Sequence, residues 1–446
     1  MLGDNRTTSN EHGTTGYGTR SWLAALAISA TLTTAMITSA LGQQAYIPAE
    51  AEPGTDIPQA TVRMGLLPYA DGSFPIIGVK QGFFSDVGIT ISPEGGTTVT
   101  EEQAHSLLMR GDLDVTHGYP PNFLPTYQNS RVVKQIMFHD VIVAGCMLAS
   151  PEQNLKGFKD YFAEGMGFDE AIAAAMAPVQ GKELASTPVA NERLFEDTIT
   201  QLSGVTWTPK ILDDPNILVS AKAGQIQFAH PSGAPVVFSL LQSGWKALVC
   251  LDDLIDHGPR GADSPILRSI TAVGAEANGE WVNANPNTAL RYISAVWRTI
   301  DAITADPSLY DIQAPVLNSI AGTSLTGEDL AGTVKLFQPY IPYENNTQFY
   351  TDKESLLNYK PLYEQVIGAF AENGVIPEDV TPDEFVWGGK LWQQLEDYRV
   401  KTDEILAGLD ETALSEENKH FLDEARKFYG WHDYLDAYRF ALAISE

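Results

Sequence analysis

Cysteine is almost missing from this chain: Cys146 and Cys250 are the two that occur in 446 residues. That excludes a disulfide framework and a metal centre built on cysteine, so the fold has to rest on its apolar core. Positive charge is scarce as well. Lysine and arginine number 28 against 57 aspartates and glutamates, a formal net charge of −29. Such a surface repels nucleic-acid phosphates and anionic headgroups, so no nucleic-acid partner is expected. The signatures G-x-S-x-G and H-E-x-x-H are absent, and with them any sequence ground for a catalytic residue, a catalytic metal or a cofactor. Long apolar runs are lacking too, with one exception. Residues 22–42 (WLAALAISATLTTAMITSALG) carry no charge over 21 positions, long enough to cross a bilayer core.

What is present begins with that run. Ala40 and Gly42 form the small-x-small pattern that a signal peptidase cuts, so residues 1–59 are expected to be an export signal followed by a flexible leader. A membrane anchor that is never cleaved is the alternative. Beyond residue 59 the chain is long enough for two packed cores. Residues 62–67 (VRMGLL) read as a strand stopped by Pro68, followed by the turn-rich YADGS, a helix over 74–86 and a strand over 89–93. The stretch 101–110 places Ala104, Leu107 and Leu108 at helical spacing, and 113–117 is a strand ended by GYPP. Strands alternating with helices imply an α/β fold with a mostly parallel sheet covered on both faces.

The same order then recurs: strand 184–188, helix 191–203, strand 207–212, helix 217–223, strand 226–230. The segment GDLDVTH, ending at His117, aligns with GQIQFAH, ending at His230, and each is followed by a proline-containing loop and an apolar strand. Two lobes are therefore expected: 60–145 with 265–305 as the first, and 146–264 as the second, with an insertion at 151–182. The apolar stretches 141–150 and 265–273 are the crossings between them. Cys146 lies on the first crossing and Cys250 in the second lobe. Each sits in an apolar run that suits a small buried hydrophobe, and a bridge is the less favoured alternative. The helix over 287–305 has an apolar stripe, and 306–446 reads as a helical extension whose aromatics, among them Trp387, Trp392, Tyr398, Phe428 and Tyr434, pack on the lobes.

The segment VRMGLLPYADGSFPIIGVKQGFFSDVGITIS resembles the opening of the nitrate, sulfonate, taurine and thiamine-pyrimidine-precursor binding family of ABC importers. In that family a strand, a ligand loop, a helix with "GfF" and a "G-hydrophobic" strand follow in this order. LLMRGDLDVTHGYP and AKAGQIQFAHPSG are similar to two further family segments, and EWVNANPNTALRYISAVWRTID to the helix after the return crossing. The resemblance covers about residues 60–305 and implies a two-lobed periplasmic-binding-protein fold of type II that closes by hinge motion on one ligand. The insertion and the helical extension depart from the family pattern.

In an open parallel α/β sheet, ligands sit beyond the carboxyl ends of the strands. That rule selects loops 68–74, 95–98 and 117–122 in the first half, and 187–191, 213–216 and 230–233 in the second. Their candidate ligand-binding residues are Tyr69, Asp71, Ser73, His117, Tyr119, Asn122, Thr187, Asn191, His230 and Ser232. Ser73 opens a helix N-terminus and Tyr69 offers a ring, although Asp71-Gly72-Ser73 also reads as a plain turn and cap. His117 and His230 occupy matching positions in the two halves, where a strand-end histidine is either structural or a ligand contact. His139 and Asp140 read as a solvated loop pair, with a further contact at the rim of the site as the alternative. The loops contain almost no lysine or arginine, so an anion or sulfonate would be held by backbone N–H groups, histidine and Asn or Thr side chains, whereas the aromatics with an acid fit a neutral or cationic, heteroaromatic solute slightly better.

The function these expectations give is not enzymatic: an extracytoplasmic, monomeric solute-binding protein that captures a small organic or anionic nutrient and passes it to an ABC transporter permease. Three alternatives stand beside it. One is a metal-binding importer subunit using His117, His230 and Asp71. The others are a sensor anchored by residues 22–42, and a pyrimidine-precursor-type enzyme on the same fold. The enzymes of that last group carry a Cys- and His-rich segment that this chain lacks.

Overall fold

The computed structural model describes residues 44–143, 145–259, 264–353, 355 and 357–445. The expected export signal, its cleavage site and the start of the leader lie outside the described residues. The described residues build two sheets flanked by helices. The first takes β1 (Ala60–Leu66), β2 (Ile89–Thr98), β3 (Val115–Gly118), β4 (Val133–Gln135) and β5 (Asp140–Ile142). The second takes β6 (Cys146–Ala149), β7 (Glu183–Ser186), β8 (Thr208–Ile211), β9 (Phe228–His230) and β10 (Lys246–Cys250). A last strand, β11 (Thr271–Asn278), returns to the first sheet.

The orders β2-β1-β3-β11-β4 and β8-β7-β9-β6-β10 are the same arrangement written twice. In each, a strand–helix–strand set runs parallel. The strand that has crossed from the other half, β11 or β6, lies antiparallel beside it. The repeat seen in GDLDVTH and GQIQFAH is thus a repeat of topology, with β3 and β9 in equivalent places.

Local chemistry explains the breaks. The helix expected over 74–86 is two short pieces, Pro75–Lys80 and Phe83–Asp86, and the expected turn before it holds one helical turn of its own, Ala70–Ser73. Pro75 can open a helix but cannot continue one, and Gly82 takes φ of 82° between Pro75–Lys80 and Phe83–Asp86. Glu101–Arg110 forms as a helix with Thr100 at its N-cap in a capping box with Gln103, and Gly111 ends it in the left-handed region. The second crossing arrives as a tight turn, Leu267–Ser269, before β11 begins, because Pro265 has no N–H to give a ladder.

Cys146 and Cys250 are bridged, which corrects the expectation of two unpaired buried side chains. They are register partners on the antiparallel neighbours β6 and β10, so the crossing strand belongs to the second sheet and brings Cys146 to its partner.

The helix Pro286–Ala305 buries Leu290, Ile293, Val296, Trp297 and Ile300 against the first sheet. Beyond it the chain is helical up to Tyr434–Ser445. Trp387, Trp392, Tyr398, Phe428 and Tyr434 are buried in the same core. The extension also touches strands directly: Val386 bridges Gln135, and Tyr340 bridges Asp140.

Candidate functional site

The carboxyl ends of β1 and β3 carry two short loops that turn straight into helices. After Leu67 the chain folds back so that Leu67 N–H donates to Gly72 O at 3.1 Å. A Cβ on Gly72 would stand 2.6 Å from Leu67 Cβ, so the turn needs glycine there. This fold-back sets Tyr69 and Asp71 at one end of a cavity. Pro120 and Pro121 start the helix that follows Tyr119. The cavity leaves about 30 Å³ for the centres of water-sized molecules and opens toward solvent.

Tyr69, Asp71, His117, Tyr119 and Asn122 line it from the first half, and Ser232 from the second. It also takes in residues that the loop rule missed. Glu101 and Glu192 enter from the first turns of their helices, Ile142 and Val189 from either side, and Gln338 from the C-terminal extension. A second, larger space shares Tyr69, Glu101, Val189 and Ser232 with the cavity and adds Thr187 and Asp214, so it continues the same cleft outward.

Two expected contacts are not in the lining. Ser73 is fully buried; its hydroxyl donates to Tyr69 O at 2.7 Å and accepts from Gln313 Nε2 at 2.8 Å, which fixes the loop to the extension. His230 lies behind the wall with no exposure, 2.6 Å from Glu192 and 3.1 Å from Glu196. Burial alone would lower its pKa, but the two carboxylates raise it to about 10. Asn191 lies in the helix Ala190–Ser203, and its side chain is outside the described atoms.

His139 and Asp140 are fully buried, which corrects the solvated loop pair expected for them. Ile341 N–H donates to His139 O at 2.7 Å, so the extension covers this strand. His117 stands at the floor with Nδ1 2.9 Å from His139 Nε2, and its Nε2 2.9 Å from the Tyr292 hydroxyl. Burial pushes His117 well below its ordinary range, His139 down to about 3, and Asp140 well above the carboxylate range. The floor is therefore a neutral hydrogen-bonded chain. It does not converge with His230, so His117, His230 and Asp71 make no metal-ligand set. The one close carboxylate–cysteine group among the described residues, Cys250 with Asp252 and Asp253, has its thiol committed to the disulfide.

The charge in the cleft is acidic. Glu101 is 5% exposed, and burial raises its pKa to about 8 against the smaller lowering effect of His105. Asp71 is raised to about 8 by burial and by Asp140. Asp214 is raised by burial to about 6, held down by Gly233 and Ser232 N–H groups that donate to it. Glu101 and Asp214 are the first residues of the helices after β2 and β8, equivalent positions in the two halves. A helix N-terminus tolerates a carboxylate because its free N–H groups and dipole face it. Among the described residues no lysine or arginine lines the cleft.

No family model matches the chain, and no curated protein matches it. Solved structures do. The alkanesulfonate-binding protein SsuA from Xanthomonas axonopodis pv. citri, bound to MOPS, superposes with a TM-score of 0.50 at 14% identity, covering 74% of this chain and 98% of that one. The periplasmic nitrate-binding protein NrtA from Synechocystis PCC 6803 gives a TM-score of 0.51 at 12% identity, covering 78% and 91%. A putative periplasmic sulfonate-binding protein, SsuA, of a sulfonate ABC transporter from Methylobacillus flagellatus KT gives 0.50 at 11%, covering 77% and 96%. With the duplicated strand order and the two crossings, these likenesses show that the chain has the periplasmic-binding-protein fold of type II, carrying a helical C-terminal extension.

Proposed function

We propose that this chain is an exported solute-binding protein that captures one small molecule in the cleft and delivers it to the permease of an ABC importer. The observation that carries this reading is the cleft itself: it lies where strands of both sheets end, and Tyr69 and Tyr119 of one half meet Val189, Glu192 and Ser232 of the other across it. A ligand held there favours the closed arrangement only because both sides touch it. On this reading residues 60–145 with 265–305 form one lobe and 146–264 the other, joined by the two crossings. The chain acts as a monomer outside the cytoplasm, the disulfide being in keeping with an oxidising compartment. Among the described residues no helix is long and apolar enough to cross a membrane.

The test is a thermal-shift panel of nitrate, aliphatic sulfonates, taurine, pyrimidines and divalent metals on wild type and Tyr119→Ala. One class should raise the melting temperature of the wild type alone, as mass action on the folded state requires. If every positive solute acts equally on the variant, the cleft is not the site. Intact mass of exported material should begin near residue 43, and a mass that still includes residues 22–42 would show a retained anchor instead.

A further inference from the structure

The lining of the cleft says more about its occupant than the fold does. Three carboxyl groups, from Asp71, Glu101 and Glu192, reach it. The nearby imidazoles are already engaged: His230 is shared between Glu192 and Glu196, and His105 pairs with Glu276 at 2.9 Å. Several donors that an anion would use are already committed. Asn122 Nδ2 donates to Glu101 at 2.6 Å. The N–H groups of Ser232 and Gly233, at the start of the helix Ala234–Gln242, donate to Asp214 at 3.1 and 2.6 Å. The helix end that would hold a phosphate, sulfonate or nitrate is thus filled by the protein's own carboxylate.

What remains unpartnered in the cavity is one pure acceptor and one hydroxyl that can donate or accept. The Tyr119 hydroxyl and Gln338 Oε1 have no hydrogen-bond partner, although Tyr119 is 5% and Gln338 2% exposed and both line the cavity. A buried polar atom left unpaired costs free energy until something meets it. Gln338 Oε1 can only accept, and the phenol rings of Tyr69 and Tyr119 beside the acids offer electron-rich surface to a cation.

We propose that the cleft takes a small N–H-rich organic cation, a protonated amine, amidine or guanidine, whose N–H groups meet Glu101, Asp71 and Gln338 Oε1 beside the two tyrosine rings. The proposal rests on the solute-binding reading. With the cleft empty, burial holds Asp71 and Glu101 near a pKa of 8; a bound cation supplies the countercharge that a buried carboxylate needs, so its binding favours their ionised forms.

Calorimetry with benzamidine, benzylamine, the neutral partners benzamide and benzyl alcohol, and the anions nitrate and methanesulfonate tests this on wild type, Glu101→Gln and Tyr119→Phe. Each cation should bind at least tenfold tighter than its neutral partner, and the anions weakest of all. Glu101→Gln should abolish the preference for cations while keeping an acceptor for Asn122, and Tyr119→Phe should weaken cations by several fold with an unchanged melting temperature. Nitrate or methanesulfonate binding more tightly than the cations overturns the ligand class and leaves solute binding standing. So does a preference for cations that survives Glu101→Gln in a folded variant. If no probe of any charge binds, the proposal falls, and the wider thermal-shift panel decides whether solute binding falls with it.

Discussion

Replacing Glu101 with glutamine should stabilise the ligand-free protein, and by more at pH 9 than at pH 6. In the fold this carboxyl is buried beside His105, Glu276, Glu102 and Asn122, and its pKa rises from 4.5 to about 8. The folded state holds the proton more tightly than the unfolded chain does. Its contribution to stability is therefore fully present below about pH 4.5 and lost as the pH rises through about 8. With one pKa unit equal to about 1.4 kcal/mol, the wild type forfeits about 2 kcal/mol at pH 6 and about 5 kcal/mol at pH 9. Glutamine does not titrate, so the stability of the variant relative to wild type should grow by about 3 kcal/mol between the two pH values. Asp71 and Asp214 titrate in both proteins and cancel in that difference, as does any pH-independent packing cost of the substitution. Urea unfolding of both proteins at pH 6 and pH 9, each extrapolated to water, measures it. A difference that is the same at both pH values refutes the burial argument. The gain in stability should come with the loss of cation affinity described above, because an acid buried in the cleft wall costs stability and is retained for what it binds.

Two further outcomes follow from the core. Reducing the Cys146–Cys250 bridge, which spans a sequence separation of 104, should lower stability by about 2–5 kcal/mol; an unchanged urea midpoint with and without reductant would show that the second sheet does not depend on it. Arg291→Ala should cost about 3–5 kcal/mol, because the guanidinium is 2% exposed, 2.7 Å from Asp436 and 2.8 Å from Glu52. Its removal leaves buried Asp436 with Arg439 alone, and proteolysis should then begin in the final helix; a melting temperature equal to wild type would place the docking energy of the extension elsewhere.

The topology was legible because its signals are local. Apolar runs stopped by Pro68 and by GYPP mark the ends of strands, and the Thr100–Gln103 capping box with Gly111 brackets a helix to the residue. The segment ending at His117 and the one ending at His230 do lie on equivalent strands. Pairing across the chain was not local. Cys146 reaches Cys250 only once the crossing strand has joined the second sheet, and His139 and Asp140 look like a loop pair until Tyr340 and Ile341 of the extension cover them. The cleft residues divide in the same way. Tyr69, Asp71, His117, Tyr119, Asn122 and Ser232 follow from where strands end, whereas Gln338 arrives from the C-terminal extension and no rule of spacing points to it. Glu101 and Glu192 were within reach of the sequence. Each stands in the first turn of a helix that begins just past a strand, a place where an acid is so common as a helix stabiliser that it passes for one. What separates these two is burial: an acid that serves only the helix dipole stays in water, whereas Glu101 and Glu192 are each 5% exposed. Glu192 meets His230 within the protein, whereas Glu101, buried at a helix start with an unpaired tyrosine hydroxyl in the same cavity, is arranged for a charge that a ligand brings.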